Sequence, residues 1–261
     1  MLRDNKGKVI MELASPDLTR LYETDGRCPE PFTVKAADGH TDLYGFMWKP
    51  LISIRRHYPI ISYVYPGPQT EAIPLEFSVT AAYNVGLAQV GFVVVTFGHR
   101  GGSPMRDKWY HTFGYNNLRD YPLADDKCGI EQLADRFSFI DKSKVGIFGH
   151  SGGGFMSTAA LYLSRFLHGG CFVGGNHDNN IYNQWWGETH HGVREIKSPR
   201  ENREDSVTGK DTTISVEKIK FETRIPTNIE LKEFERVLML VTGVWIITCI
   251  RRIPCAWLML C

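Results

Sequence analysis

Several features that would fix the class of this 261-residue sequence at once are missing from it. There is no excess of charge: 30 Lys and Arg stand against 29 Asp and Glu, a net +1 with His neutral. No basic cluster is interleaved with aromatics, so no nucleic-acid partner is expected. The six cysteines never fall at CxxC spacing, which argues against both a zinc site and a disulfide framework. His99, His150, His177, His190 and His191 show no ligand spacing such as HExxH, so no metal and no cofactor is expected. The longest apolar run, 238–250, is short and interrupted for a membrane span, and no membrane partner is expected. Residues 1–6 lack an apolar h-region, so no signal peptide is expected as written. Fixed-period repeats and low-complexity tracts are also lacking. The last absence matters most below: no Asp, Glu or His occurs after Glu235.

What is present suits one large α/β domain, alone or with a fragment. Hydrophobic residues make up 43% of the chain, ample for a core. A strand over 7–13 follows a turn at Asn5-Lys6-Gly7, and Pro29 and Pro31 mark a linker. Strands over 32–36 and 43–48 flank Asp38-Gly39, a hairpin signal. Segments 60–65 and 92–96 are apolar and β-branched, as buried strands are, with a helix over 81–89 between them. Helical spacing of Leu123, Ile130, Leu133 and Ala134 predicts a helix over 121–136. The alternation implies a mostly parallel, doubly wound sheet with its ligand site at the carboxyl ends of the strands.

One stretch organises the rest. Lys144 to Met156 reads as a buried strand, a sharp turn with Ser151 at its tip, and a helix over 155–160. Gly149-x-Ser151-x-Gly153 fits the nucleophile elbow of the α/β-hydrolase fold. The serine must sit in a strained turn to lift its hydroxyl clear, and side chains two residues away would collide with the crossing strand and helix. The Gly152 N–H, at the helix N-terminus, would then face a developing oxyanion. The motif alone leaves open a Gly-rich strand-to-helix turn with a bystander serine.

Four segments in order extend the reading: Tyr63-Val64-Tyr65-Pro66-Gly67-Pro68-Gln69, Thr96 through Ser103, Gly149 through Gly154, and Gly175-Asn176-His177-Asp178 through Trp186. Together they resemble the catalytic domain of the prolyl oligopeptidase family of serine peptidases, nearest its dipeptidyl peptidase branch, over residues of about 30–243. The resemblance implies Ser151 as nucleophile, and the Gly152 N–H and the Tyr65 hydroxyl as oxyanion donors. It implies Tyr182 and Trp186 as the aromatic slot for the residue before the scissile bond, often proline. A peptide substrate follows, with a homodimer and a periplasmic or secreted location as family tendencies. It also implies a division into residues 1–30, the exit from an upstream β-propeller, and 31–243, the peptidase domain. Without the resemblance, Tyr65 reads as a strand-edge residue, Tyr182, Trp185 and Trp186 as a buried aromatic cluster, and His190-His191 as a solvated pair in a polar loop.

The pattern breaks after Gly243. The order in α/β-hydrolases is Ser, then Asp or Glu, then His, and neither partner follows here. Codon degeneracy offers a cause. Across Trp245-Ile246 a displaced frame reads GAT, an Asp codon, and permitted codons continue as Met-Asp-Asn-Asn-Val-His-Pro-Ala-Asn-Thr-Leu-Arg-Met-Ala. That is the segment the family implies. The expectation is a fold truncated at its C-terminus, with 244–261 an aberrant, out-of-frame tail. Blocks 162–173 and 51–56 admit similar displaced readings. For 162–173 the expected consequence is a buried strand carrying Arg165 and His168 at apolar positions. The chain as written is expected to be inactive. Alternatives are an esterase or acylaminoacyl hydrolase of the same fold, or a non-catalytic binding module.

Overall fold

The computed structural model describes residues 1–23, 28–50, 57–74, 83–179, 182–197, 201–204, 213–216, 219–222 and 237–241. The expectations for 51–56 and 244–261 lie outside them.

The chain opens with a small antiparallel ribbon, β1 (Leu2–Arg3) and β2 (Val9–Met11), whose residues are exposed. The expected turn closes it: Asp4 Oδ1 accepts the Lys6 and Lys8 N–H groups, each at 2.9 Å. A short helix, α1 (Thr19–Glu23), follows. β3 (Glu30–Lys35) and β4 (Asp42–Trp48) then form the hairpin that Asp38-Gly39 predicts. Gly39 takes φ +75°, and Asp38 gathers the His40 and Thr41 N–H groups and the Thr41 hydroxyl. The expected linker ends earlier than its prolines suggest, because Pro31 already sits in β3, an edge strand where a missing N–H is tolerated.

The main sheet continues through β5 (Tyr58–Tyr63), α2 (Asn84–Gln89), β6 (Val93–Phe97), α3 (Lys108–Thr112), α4 (Leu123–Arg136), β7 (Ile140–His150), α5 (Gly152–Leu163) and β8 (Gly169–Val173). After α6 (Gln184–His191) come two antiparallel pairs. These are β9 (Arg194–Lys197) with β12 (Ile219–Glu222), and β10 (Glu201–Glu204) with β11 (Thr213–Val216). β13 (Val237–Val241) then returns to the main sheet.

The sheet order is β13-β8-β7-β5-β6-β4-β3. From β13 to β6 all pairings are parallel; β4 and β3 run antiparallel at the edge. β6 lies on one side of β5 and β7 on the other, so the winding reverses at β5. At such a switch the carboxyl ends of the two strands part and leave a crevice. Tyr65 follows β5 and Ser151 ends β7, so both stand at its mouth.

Burial follows the parallel geometry. Every residue of β6 is buried, as an interior strand covered on both faces requires. β5 alternates buried and half-buried positions. Helix α5 is buried from Gly153 to Leu161, and its Met156, Ala160 and Leu161 share the core with Ile147 and Leu167.

The block 162–173 departs from its expectation in one respect. A strand does form at 169–173, but Arg165 and His168 are exposed in the turn before it. No cost of burying Arg165 arises. The His168 N–H donates to the Val145 carbonyl at 2.8 Å, while Leu167 fills the core. Gly170 lets α5 approach: a Cβ there would come within 2.9 Å of Leu161 Cδ1.

Candidate active site

Ser151 is one of the few non-glycine residues with positive φ, at φ 54° and ψ −113°. L-residues rarely adopt this conformation, and it persists only where neighbours impose it. The Ser151 N–H donates to the Val173 carbonyl of β8 at 2.9 Å, and its own carbonyl accepts from the Phe155 N–H at 3.0 Å, opening α5. The serine is half-buried at the tip.

The two flanking glycines explain how the turn fits. A Cβ on Gly149 would stand 2.3 Å from the Val64 carbonyl oxygen, and one on Gly153 2.0 Å from the same atom. The elbow is thus pressed against the backbone just beyond β5, from both its strand and its helix. Gly152 is close-packed too: a Cβ would lie 2.8 Å from the Pro66 carbonyl oxygen. The first N–H groups of a helix lack intrahelical acceptors, so the start of α5 presents unclaimed donors beside Ser151.

Above this elbow lies a cavity of about 160 Å³. Its walls include Tyr65, Ser151, Gly152, Tyr182 and Trp186, all five of the residues singled out from the sequence. Tyr182 and Trp186 meet edge to face, ring centroids 5.6 Å apart at 89°. Asn183 caps α6 by accepting the Trp186 N–H, which fixes where the indole starts. Trp185, its neighbour, is 67% exposed and takes no part in the wall. The aromatics therefore do not form one buried cluster.

Further wall residues had no role in the sequence reading: Leu118, Tyr121, Phe155, Asn176 and Asn179. The two asparagines lie inside the fourth motif and could have been found there. Leu118 and Tyr121 arrive from the loop before α4, and nothing local marks them.

The histidines that tempt as bases lie elsewhere. Among the described residues, no His, Asp or Glu lines the cavity. His150 is exposed. His99 is buried with its Nε2 3.3 Å from Asp126 Oδ1, and the Ser62 hydroxyl donates to that same oxygen at 2.7 Å. Serine, imidazole and carboxylate meet here, but both partners converge on the acid and all three are sealed from solvent. They pin β5, the loop after β6 and α4 together. Next to them Arg100 forks onto both oxygens of the fully buried Asp125 and reaches Asp38 at 3.2 Å.

The expectation for His190 and His191 is corrected. They form the last turn of α6 and are 5% and 6% exposed, packed on Trp186, with Tyr115 against His190. Polar sequence neighbours such as Glu188 and Thr189 mislead, because they are exposed while the two imidazoles pack on Trp186. Burial lowers the His191 pKa to about 4, and the adjacent His190 adds to it. His190 is lowered as well, first by burial and then by His111. His177 is pushed down to about 4 by burial. All three stay neutral near pH 7.

The site thus joins a strained serine, helix-start donors, a phenol and an aromatic slot at the crevice of a parallel sheet. Among the described residues no group of His, Cys, Asp or Glu could hold a metal ion. None of the described helices is long and apolar enough to cross a membrane.

Comparison with known proteins agrees. A sequence model of the prolyl oligopeptidase family matches residues 77–210, a span that includes Ser151, Tyr182 and Trp186. Dipeptidyl peptidase 8 of Homo sapiens is 34% identical over 135 residues, 51% of this chain and 15% of its own. Prolyl endopeptidase FAP of Mus musculus is 28% identical over 123 residues, 47% of this chain and 16% of its own. The chain therefore spans only about 15% of the length of such curated relatives. Among solved structures, dipeptidyl peptidase 4 of Porphyromonas gingivalis superposes with a TM-score of 0.72 at 18% identity, covering 99% of this chain and 34% of that one. Acylaminoacyl peptidase of Pyrococcus horikoshii gives 0.58 at 20% identity, covering 68% and 29%. Those two likenesses carry the fold, an α/β-hydrolase with its mostly parallel sheet. The matched span passes half of the sequence and contains the elbow, and so the chain belongs to the prolyl oligopeptidase family of serine peptidases.

Proposed function

We propose that the site hydrolyses peptide bonds by acyl transfer. Ser151 Oγ attacks the carbonyl carbon; the carbonyl π-electrons move to oxygen, and the Gly152 N–H and Tyr65 hydroxyl hold that oxyanion. Its collapse expels the amine, which takes up the proton given up by the Ser151 hydroxyl, and leaves an ester on Ser151. Water then hydrolyses the ester. Tyr182 and Trp186 clasp the residue before the scissile bond, and a flat, rigid prolyl ring suits such a slot. The observation that carries this reading is the meeting of a positive-φ serine with Tyr65, Tyr182 and Trp186 around one cavity.

A serine of ordinary pKa needs a base, and the base an orienting acid. Both would belong to the chain beyond β13. That strand ends at Val241, whose carbonyl accepts the Gly174 N–H at 2.8 Å, directly after the strand that receives the Ser151 N–H. An acid a few residues past Val241 would start from the same edge of the sheet as the serine. We therefore read residues 244–261 as out of frame and the 261-residue polypeptide as inactive or nearly so. Residues 1–30 are the exit from an upstream domain. We propose periplasmic or secreted placement.

A second reading, N-acylaminoacyl or ester hydrolysis, is favoured by the fold neighbour from Pyrococcus horikoshii. A non-catalytic binding module is the third. The experiment sequences the encoding DNA, expresses the chain in the restored frame, and compares prolyl amides, N-acylated amides and simple esters. Preferential cleavage of prolyl amides supports the peptidase reading. Preference for esters or N-acyl substrates supports the second. An intact frame in the DNA, with no turnover, supports the binding module.

A further inference from the structure

The cavity is completed by a leucine that the core does not use. A leucine is ordinarily buried to fill a hydrophobic core. Leu118 is 7% exposed, yet among the described residues it joins neither of the two core clusters. It lines the cavity instead, with Phe155 of α5, which is likewise buried outside both clusters. The loop that carries Leu118 is clamped on both sides of it. Before it, Asn116 takes φ 68° and its N–H donates to the His190 carbonyl, at the end of α6, at 3.1 Å. The Tyr115 ring packs on the His190 ring, centroids 5.3 Å apart, and His190 packs on Trp186 at 5.1 Å. After it, the Tyr121 ring is wedged between glycines: a Cβ on Gly101 would approach it to 2.4 Å and one on Gly114 to 3.0 Å. Leu118 is thus tied to the helix that supplies Trp186. Close-packed surroundings of this kind resist displacement, so the wall cannot yield cheaply to an oversized side chain.

A cavity of about 160 Å³ has room for one ring, since ~150 Å³ suffices for benzene. We propose that Leu118 is a specificity residue that sets the upper size of the side chain before the scissile bond. It admits a single small ring such as that of proline and rejects a bicyclic one such as indole. The inference rests on the peptide-site reading above and deepens it. Tyr182 and Trp186 offer ring surface to that residue, and Leu118 limits how far it can reach. Aromatic walls alone would welcome a larger flat side chain, because stacking area grows with ring size; the leucine removes that advantage.

The test uses the 261-residue chain and binding by calorimetry rather than turnover. The probes are the tripeptides Ala-Pro-Ala and Ala-Trp-Ala. The parent chain should bind the prolyl peptide about tenfold tighter or more, since a mismatch of even one methylene in an apolar pocket has about that effect. Leu118→Ala opens space, so the tryptophyl peptide should gain about tenfold and the prolyl peptide should lose affinity. Leu118→Phe keeps the position apolar and fills space; it should weaken the prolyl peptide about tenfold and still reject the tryptophyl one. Circular dichroism confirms that each variant is folded. A loss of stability alone would weaken both peptides alike, so their ratio separates the pocket from the fold. Equal binding of the two peptides by the parent, or prolyl and tryptophyl affinities that stay at the parent's in the folded variants, overturns this inference and leaves the peptide site standing. Binding of neither peptide to the parent or to any variant overturns both.

Discussion

Adding a single methyl group to Gly153 tests whether the elbow is held as described. In Gly153→Ala the new Cβ would stand 2.0 Å from the Val64 carbonyl oxygen and 3.0 Å from the Val64 carbonyl carbon. Carbon and oxygen ordinarily approach no closer than about 3.3 Å, so one backbone must retreat by about 1 Å. Neither can rotate away, because both sides of the contact are main chain. The Val64 N–H is tied to the Phe148 carbonyl at 2.9 Å, so Val64 cannot move without loosening the β5–β7 pairing. Overpacking typically costs ~1–3 kcal/mol, and a backbone contact belongs at or above the top of that range. About 3 kcal/mol lowers the melting temperature by roughly 6–12 °C for a domain of this size. Gly149→Ala, 2.3 Å from the same oxygen, should behave alike. Gly146→Ala is the control: three residues earlier in the same strand, its Cβ would meet Ile61 Cγ1 at an ordinary 3.4 Å. Urea unfolding of the three variants gives the comparison, with Gly146→Ala within about 0.5 kcal/mol of the parent. A Gly153→Ala protein as stable as Gly146→Ala would mean that the turn is not pressed on β5. The strain at Ser151 would then have no cause.

Further outcomes follow from the groups around the site. Arg100→Ala strands the fully buried Asp125 carboxylate and should cost about 3–5 kcal/mol in urea unfolding, whereas the Arg100→Ala/Asp125→Ala double variant should recover much of it. Arg100→Lys should recover little, because an ammonium cannot reproduce the fork. Tyr110 donates to Glu71, which continues the wall segment that begins at Tyr65. Tyr110→Phe should cost ~1–3 kcal/mol and speed amide exchange over residues 65–70. The pKa values of His177 and His191 are lowered to about 4, so the folded state binds fewer protons than the unfolded state between about pH 4 and 6.5. Stability should therefore fall as pH drops through that window and level off below it. A melting temperature that holds from pH 7 to pH 5 would contradict the burial of these rings.

Much of this was legible where a single conformation or contact demands one residue type. The elbow could be read because only glycine fits against Val64 on both sides, and the first hairpin because Asp38-Gly39 closes it. Segment 92–96 showed its burial in an unbroken apolar run. The polar interior was not legible. Asp125 and Asp126 look like ordinary acidic residues in a first helical turn, yet both are buried by partners some 25 or more residues away, Arg100, His99 and Ser62. His190 and His191 are hidden by packing across α6, which their neighbours in sequence do not reveal. Leu118 and Tyr121 reach the cavity through a loop with no periodic signature.

The measurement closest to the central claim is labelling by a fluorophosphonate, located by peptide mass spectrometry, on the 261-residue chain and on the chain expressed in the restored frame. Ser151 should be modified rapidly and stoichiometrically in the restored protein, very slowly in the 261-residue chain, and not at all after Ser151→Ala. Rapid labelling of the 261-residue chain would contradict the need for an acid and base beyond β13. A restored protein labelled at some other residue would contradict Ser151 as the acylated group.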